Sequence, residues 1–239
     1  MFAPDRPTFR LFAGGIVLAL AIAGGGCNSG GGTSAVEEMD PDGTNFRSIV
    51  VALGDSITFG VQSVDEASCD ESNRGSGGFC PPLEGLSGKT VINAGICGED
   101  SYGGVDRINR VLQRFRPSVI LIDYSPNDLD NGPHALISNL RIMIEAARVN
   151  HTVPIIGTMT PANGEHRGWE PFIEAANPLI LELCAEEGLE CADHFNAFEN
   201  DPGYSASPYA LLLEDGLHPN PAGYALMAET WERSLRRVY

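Results

Sequence analysis

The chain has 239 residues, 43% of them hydrophobic, and a formal net charge of −17. That length supports one well-buried domain and is short for two. With acids in such excess and no cluster of Lys or Arg to displace counterions, nucleic acid is excluded as a natural partner. The same charge suits a soluble exported chain or a salty habitat equally.

The first residues read as an export signal. Arg6 and Arg10 precede an apolar run from Leu11 to Ile22, which is short for a bilayer span and has the length and basic flank of a secretory signal. The run passes into "AGGGCNSGGGTS", where Cys27 follows small residues. This resembles the lipobox of bacterial lipoproteins, and the resemblance implies removal of residues 1–26 and lipidation of Cys27. Gly24 stands where lipoboxes usually carry Leu, and the alternative is cleavage by an ordinary signal peptidase after Ala21 or Ala23. Residues 27–45 are rich in Gly, Ser and acids with little to bury, and are predicted to be a flexible tether. Residues 46–239 then form one domain, placed outside the cytoplasm and touching a membrane only through the lipid anchor.

Along that domain short β-branched runs alternate with helical patterns. Strands are predicted at Ser48 to Leu53, Thr90 to Asn93, Val119 to Tyr124, Val153 to Thr158 and Leu189 to Ala192; several are apolar almost throughout, as strands covered on both faces are. Spacing near 3.6 puts Val105, Ile108, Leu112 and Phe115 on one helix face, and Leu136, Leu140, Met143 and Ala147 on another. A third helix is expected from about Pro171 to Glu187, broken or kinked at Pro178. The last begins after Asn220, a good N-cap followed by Pro221, and turns Tyr224, Ala228, Trp231 and Leu235 inward. Such alternation predicts an α/β fold: a mainly parallel sheet of about five strands in a three-layer sandwich, with ligands at the carboxyl ends of the strands.

The predicted strand ends carry polar loops: Gly54-Asp55-Ser56 after the first, "NAGICGEDS" at the second, "DYSPND" at the third, and "EDGLHPN" before the last helix. Ser56 directly after a strand reads either as an N-cap or as a nucleophile. A serine hydroxyl needs a base to take its proton, and a histidine base needs a carboxylate to fix its tautomer. Asp215 and His218 lie about one turn apart, so both side chains can project the same way, and Pro219 keeps His218 out of helical geometry. Alone, the pair also reads as a turn acid and a surface histidine.

In this order the blocks "GDS", "NAGICGEDS", "PND" and "DGLHP" resemble those of the SGNH or GDSL hydrolases, a family of lipases and esterases of flavodoxin-like fold. The resemblance runs from Ile49 to the end. It implies a carboxylic ester hydrolase with Ser56 as nucleophile, His218 as base and Asp215 as its partner. It also implies an oxyanion hole made of the Ser56 and Gly98 N–H groups and the Asn127 side-chain amide, with no metal or organic cofactor. Asp55 and Asp128 are expected to organise the loops. One departure stands out: Ser125 occupies the position of the family's glycine in Gly-x-Asn-Asp, where a Cβ could crowd the site.

The family's substrates are small-molecule or carbohydrate esters. Without a long apolar lid, a short acyl group is expected, acetylated sugars included, with "TPANGEHRGWEP" bordering the site and offering His166, Arg167 and Trp169. The alternatives are a lysophospholipase or thioesterase of the same family, and a catalytically weak surface lipoprotein that binds glycans.

Setting Cys27 aside, five of the six cysteines remain. Cys69 and Cys80 flank "CDESNRGSGGFC", and closing that loop would limit unfolded freedom by about 2 to 4 kcal/mol; Cys184 and Cys191 bracket a short helix-to-strand turn and are expected to form the second bridge. Cys97 is left unpaired. No CxxC pair suggests zinc.

Overall fold

The computed structural model describes residues 38–63 and 69–239. The predicted export signal, Cys27 and most of the tether lie outside the described residues. Five strands, β1 (Phe46–Gly54), β2 (Thr90–Gly95), β3 (Pro117–Asp123), β4 (Val153–Gly157) and β5 (Cys191–Ala192), form one sheet in the order β2-β1-β3-β4-β5. All four pairings are parallel. This is the expected three-layer α/β architecture.

Period-two alternation sorts the strand side chains between two cores. Val51, Leu53, Ile120, Ile122 and Ile156 face one core, with Ile108 and Leu112 of α3 (Ser101–Phe115), Leu136, Leu140 and Met143 of α4 (Pro133–Val149), and Ile173 and Ile180 of α5 (Glu170–Glu187). Val50, Ala52, Val119, Leu121 and Ile155 face the other, with Leu83 from α2 (Cys80–Ser87) and Tyr224, Trp231 and Leu235 from the helix Pro221–Val238. Fully burying such side chains contributes roughly 1.5 to 3 kcal/mol each, which fixes the strand register. The inward faces predicted for these helices therefore hold.

The described residues begin at Glu38, inside the predicted tether 27–45, and the Arg47 N–H donates to the Glu38 carbonyl at 2.8 Å. Met39 bridges to Phe46, and the buried Asn45 donates to the Asn150 and His151 carbonyls at 2.8 Å each, closing the turn after α4. Pro178 does not interrupt α5, which runs unbroken through it; Ile173, Ala176, Ile180 and Leu183 are all buried there, and this packing outweighs the lost hydrogen bond.

The cysteine pairing also differs. Cys69 is bonded to Cys97, with Cα atoms 6.0 Å apart, while Cys80, Cys184 and Cys191 are free thiols. Cys80 opens its helix inside the second core, accepts from Asn93 Nδ2 at 3.4 Å, and has its thiol pKa pushed up by burial. Cys184 and Cys191 meet without bridging: a hydrogen bond between them, with burial, pushes up the Cys191 thiol. Sequence proximity was a poor guide because lengthening a loop costs only about 0.6 kcal/mol per doubling. What decides pairing is which loops the sheet brings together at its edge.

Candidate active site

The strand order reverses at β1, with β2 on one side and β3 on the other, so the loops leaving these three strands meet at the carboxyl edge. Four polar contacts join them. The Asp55 carboxylate, after β1, accepts from the Ser125 N–H at 2.6 Å and from Asn127 Nδ2 at 3.2 Å, both after β3. Asn127 Nδ2 also donates to the Glu99 carbonyl at 3.0 Å, in the loop after β2. The Ile96 N–H donates to the Gly54 carbonyl at 2.9 Å.

Asp55, not Ser56, caps the short helix α1 (Ser56–Phe59): its carboxylate accepts from the Ile57 N–H at 2.9 Å. The Ser56 hydroxyl is thereby released from capping. It lies 2.9 Å from His218 Nε2, and His218 Nδ1 lies 2.6 Å from Asp215 Oδ2. A carboxylate can only accept, so Nδ1 carries the ring proton and Nε2 presents a lone pair to the serine hydroxyl. The residue Ser56 is 8% exposed and the side chains of His218 and Asp215 are 17% and 12% exposed, enclosed yet open to a substrate.

The loop carrying the acid and the histidine is a tight turn. Asp215 Oδ1 accepts from the N–H groups of Leu217 and His218 at 2.9 and 3.1 Å, and the Leu213 N–H donates to the His218 carbonyl at 2.8 Å. Gly216 has φ +73°, and a Cβ there would lie 2.2 Å from the Asn163 carbonyl oxygen, so only glycine fits. Burial alone would raise the Asp215 pKa, but the hydrogen bonds from the His218 side chain and the Leu217 N–H hold it below its usual value. After the turn, Asn220 caps the helix Pro221–Val238 by accepting from the Ala222 and Gly223 N–H groups, which anchors the segment just past His218.

The expected oxyanion donors come from the segments that follow β1, β2 and β3. The Ser56 N–H belongs to the first residue of a helix, a group no intrahelical carbonyl can satisfy. Gly98 sits at φ +71° with open space where a side chain would be, and no hydrogen bond engages its N–H among the described residues. Asn127 is held on a 3-10 turn, Pro126–Asp128; both its contacts come from the same amide nitrogen, so one must be exchanged if that nitrogen is to bind an oxyanion. Ser125 has φ −91°, which needs no glycine, and its side chain adds a hydrogen bond to Asp55 that offsets the rise that burial imposes on that carboxyl. Asp128 anchors α3, accepting from the Ser101 N–H at 2.9 Å and its hydroxyl at 2.6 Å.

The segment Thr160–Pro171 does border this turn. The Asn163 N–H donates to the Gly216 carbonyl at 2.6 Å, His166 Nδ1 donates to the Asp215 carbonyl at 2.9 Å, and the His166 ring meets Trp169 edge-on at 4.6 Å; Arg167 is exposed. His194, by contrast, is fully buried against Trp231.

The profile of the GDSL-like Lipase/Acylhydrolase family matches residues 52–226. The chain belongs to that family. It is a carboxylic ester hydrolase. It is 29% identical to Esterase TesA of Pseudomonas aeruginosa over 58% of this chain and 66% of that protein. It is 25% identical to the Arylesterase of Vibrio mimicus over 75% of this chain and 84% of that one. Among solved structures, the lipase/acylhydrolase from Enterococcus faecalis superposes with a TM-score of 0.66 at 25% identity, covering 81% of this chain and 97% of that one.

In this GDSL-family hydrolase the sequence reading missed one buried group beside the site. Arg107 donates through Nε and Nη2 to the Glu99 carboxylate at 2.5 to 2.9 Å, and through Nη2 to the Gly54 carbonyl at 3.1 Å, while the Tyr124 hydroxyl donates to Glu99 at 2.9 Å. The signal was available: Arg107 lies on the inward face of α3 beside Ile108, and a buried guanidinium requires an acid partner.

Proposed function

We propose that the protein is an extracytoplasmic serine esterase that hydrolyses short-chain acyl esters, acetylated sugars among them, through Ser56, His218 and Asp215. The observation that carries this reading is the unbroken hydrogen-bond chain from Asp215 Oδ2 through both His218 nitrogens to Ser56 Oγ. Ser56 Oγ attacks the acyl carbon while its proton passes to His218 Nε2, and Asp215 stabilises the imidazolium without taking its proton. The N–H groups of Ser56 and Gly98 and the Asn127 amide receive the developing oxyanion. His218 then gives its proton to the departing alkoxide, leaving an acyl-Ser56 ester. Water repeats the sequence, returning the proton to Ser56 Oγ as the acid leaves.

Two observations support the finer points. Ile96 and Leu129, each two residues from an expected oxyanion donor, are exposed, and a short acyl chain needs no more apolar surface than such isolated side chains offer. The Cys69–Cys97 bridge suits an oxidising compartment, which agrees with the export signal read at the N-terminus and with lipidation of Cys27.

A panel of p-nitrophenyl esters from acetyl to dodecanoyl, run beside an acetylated xylan, tests the reading. The acetyl ester should give the highest kcat/KM, and Ser56→Ala or His218→Ala should abolish most of it. The double variant should lose little more than either single one, since nucleophile and base act as a unit. A maximum at the long chains would favour a lysophospholipase or thioesterase.

A further inference from the structure

Among the described residues no hydrogen bond holds the Gly98 N–H, nothing lies within 4 Å of where a Cβ would be, and a glycine at φ +71° is conformationally permissive. Its two neighbours are both anchored. Cys97 is bonded to Cys69 across 28 positions of sequence, which ties the loop after β2 to the segment after α1. On the other side, Glu99 is gripped by Arg107 and Tyr124, and its carbonyl receives Asn127. The Glu99 and Arg107 side chains are each 10% exposed, so the pair is shielded from water. Burial raises the Tyr124 pKa, which keeps that hydroxyl a donor to Glu99.

We propose that Cys97 and Glu99 are positioning residues that together aim the Gly98 N–H at the oxyanion, so that full activity requires the Cys69–Cys97 bridge to be closed. The inference rests on the serine-esterase reading above. An oxyanion donor acts only within about 2.7 to 3.1 Å of the developing charge. Opening the bridge frees the loop on one side of a residue that cannot hold itself, and a displacement of about 1 Å at such a site can cost about 100-fold in rate. The opening step itself is ordinary exchange. One thiolate of a dithiol reductant attacks a sulfur of the bridge, and its second thiol displaces the mixed disulfide. Two electrons pass to the protein sulfurs, which leave as two thiols while the reductant closes to its own disulfide.

The test uses the full-length enzyme and p-nitrophenyl acetate. Wild type treated with dithiothreitol until Cys69 and Cys97 both become labelled by a maleimide should lose roughly 10- to 100-fold in kcat with KM within about twofold. Cys69→Ser and Cys97→Ser should show the same loss and no further response to reductant. Glu99→Gln, which leaves the bridge intact, should also lower kcat. In each case affinity for an alkyl boronic acid, a tetrahedral mimic, should fall in parallel with kcat. Circular dichroism at the assay temperature checks that the variants remain folded, and the Glu99→Gln and reduced wild-type enzymes supply the reading if a cysteine variant does not fold. A reduced, labelled wild type with kcat and boronate affinity within twofold of the oxidised enzyme would overturn the proposal. Wild type inactive on every ester, or an active Ser56→Ala, would instead refute the esterase reading on which it rests.

Discussion

Asp215→Asn isolates the role of one atom. In the native protein Asp215 Oδ1 receives two backbone N–H groups and Oδ2 receives the His218 Nδ1–H at 2.6 Å. An asparagine keeps the first set, because its carbonyl oxygen can still accept from Leu217 and His218, so the turn should survive. At the second position it presents an NH₂ group, which can only donate. His218 must then offer the Nδ1 lone pair and carry its proton on Nε2, leaving nothing to accept the Ser56 hydroxyl proton. The tautomer is wrong by one proton while the geometry is nearly unchanged. A loss of about 10⁴ in kcat is expected, close to 5 kcal/mol of barrier. Initial rates on p-nitrophenyl acetate measure it, and a thermal melt within a few degrees of wild type confirms that the turn is intact. A rate within tenfold of wild type, from an enzyme that melts normally, would refute the assigned role of Asp215.

Three further outcomes are expected. Asn127→Ala should lower kcat by about 100- to 1000-fold with a smaller change in KM, as for loss of an oxyanion donor; a rate near wild type would mean that Asn127 only ties Asp55 to the Glu99 carbonyl. His194, fully enclosed, has its pKa lowered from 6.5 to about 3 by burial and by the charge of Arg233. The unfolded chain therefore takes up a proton below about pH 6.5 that the folded chain refuses until about pH 3, and stability should fall across that window by up to about 1.4 kcal/mol per pH unit; urea titrations should show His194→Phe flattening this slope. Mass measurement of the mature protein from its native host should find a lipidated Cys27 at the N-terminus, whereas a free terminus at residue 22 or 24 would point to ordinary cleavage.

Much of the site was legible because its chemistry is local. Asp215 and His218 share one turn, and Ser56 sits where an apolar strand stops, so three short stretches carry the pattern. The sheet was legible because β1 and β3 feed both cores and are apolar on both faces. What escaped was set by tertiary proximity. Cys97 finds Cys69 because the loops after β2 and α1 converge, a meeting that no spacing rule records. The Glu99–Arg107 pair lies eight positions apart, with the acid in a loop and the base on a helix face, so no helical pairing rule joins them. Pro178 misled for a related reason: local propensity says break, and the buried face on either side of it says continue. The helix Cys80–Ser87, with two prolines and a glycine in eight residues, has too short and irregular a pattern to be read; Leu83 is its main link to the core.

The central claim is that Ser56 is activated as a nucleophile by His218. It is tested most directly by reacting the enzyme with a fluorophosphonate and locating the adduct by peptide mass spectrometry. The account predicts a single modification on Ser56 in the wild type, formed in step with loss of esterase activity. Labelling should be suppressed at least 100-fold in His218→Ala, where no base takes the hydroxyl proton. An active esterase that labels at another residue, or one whose Ser56 labels equally fast without His218, would contradict it.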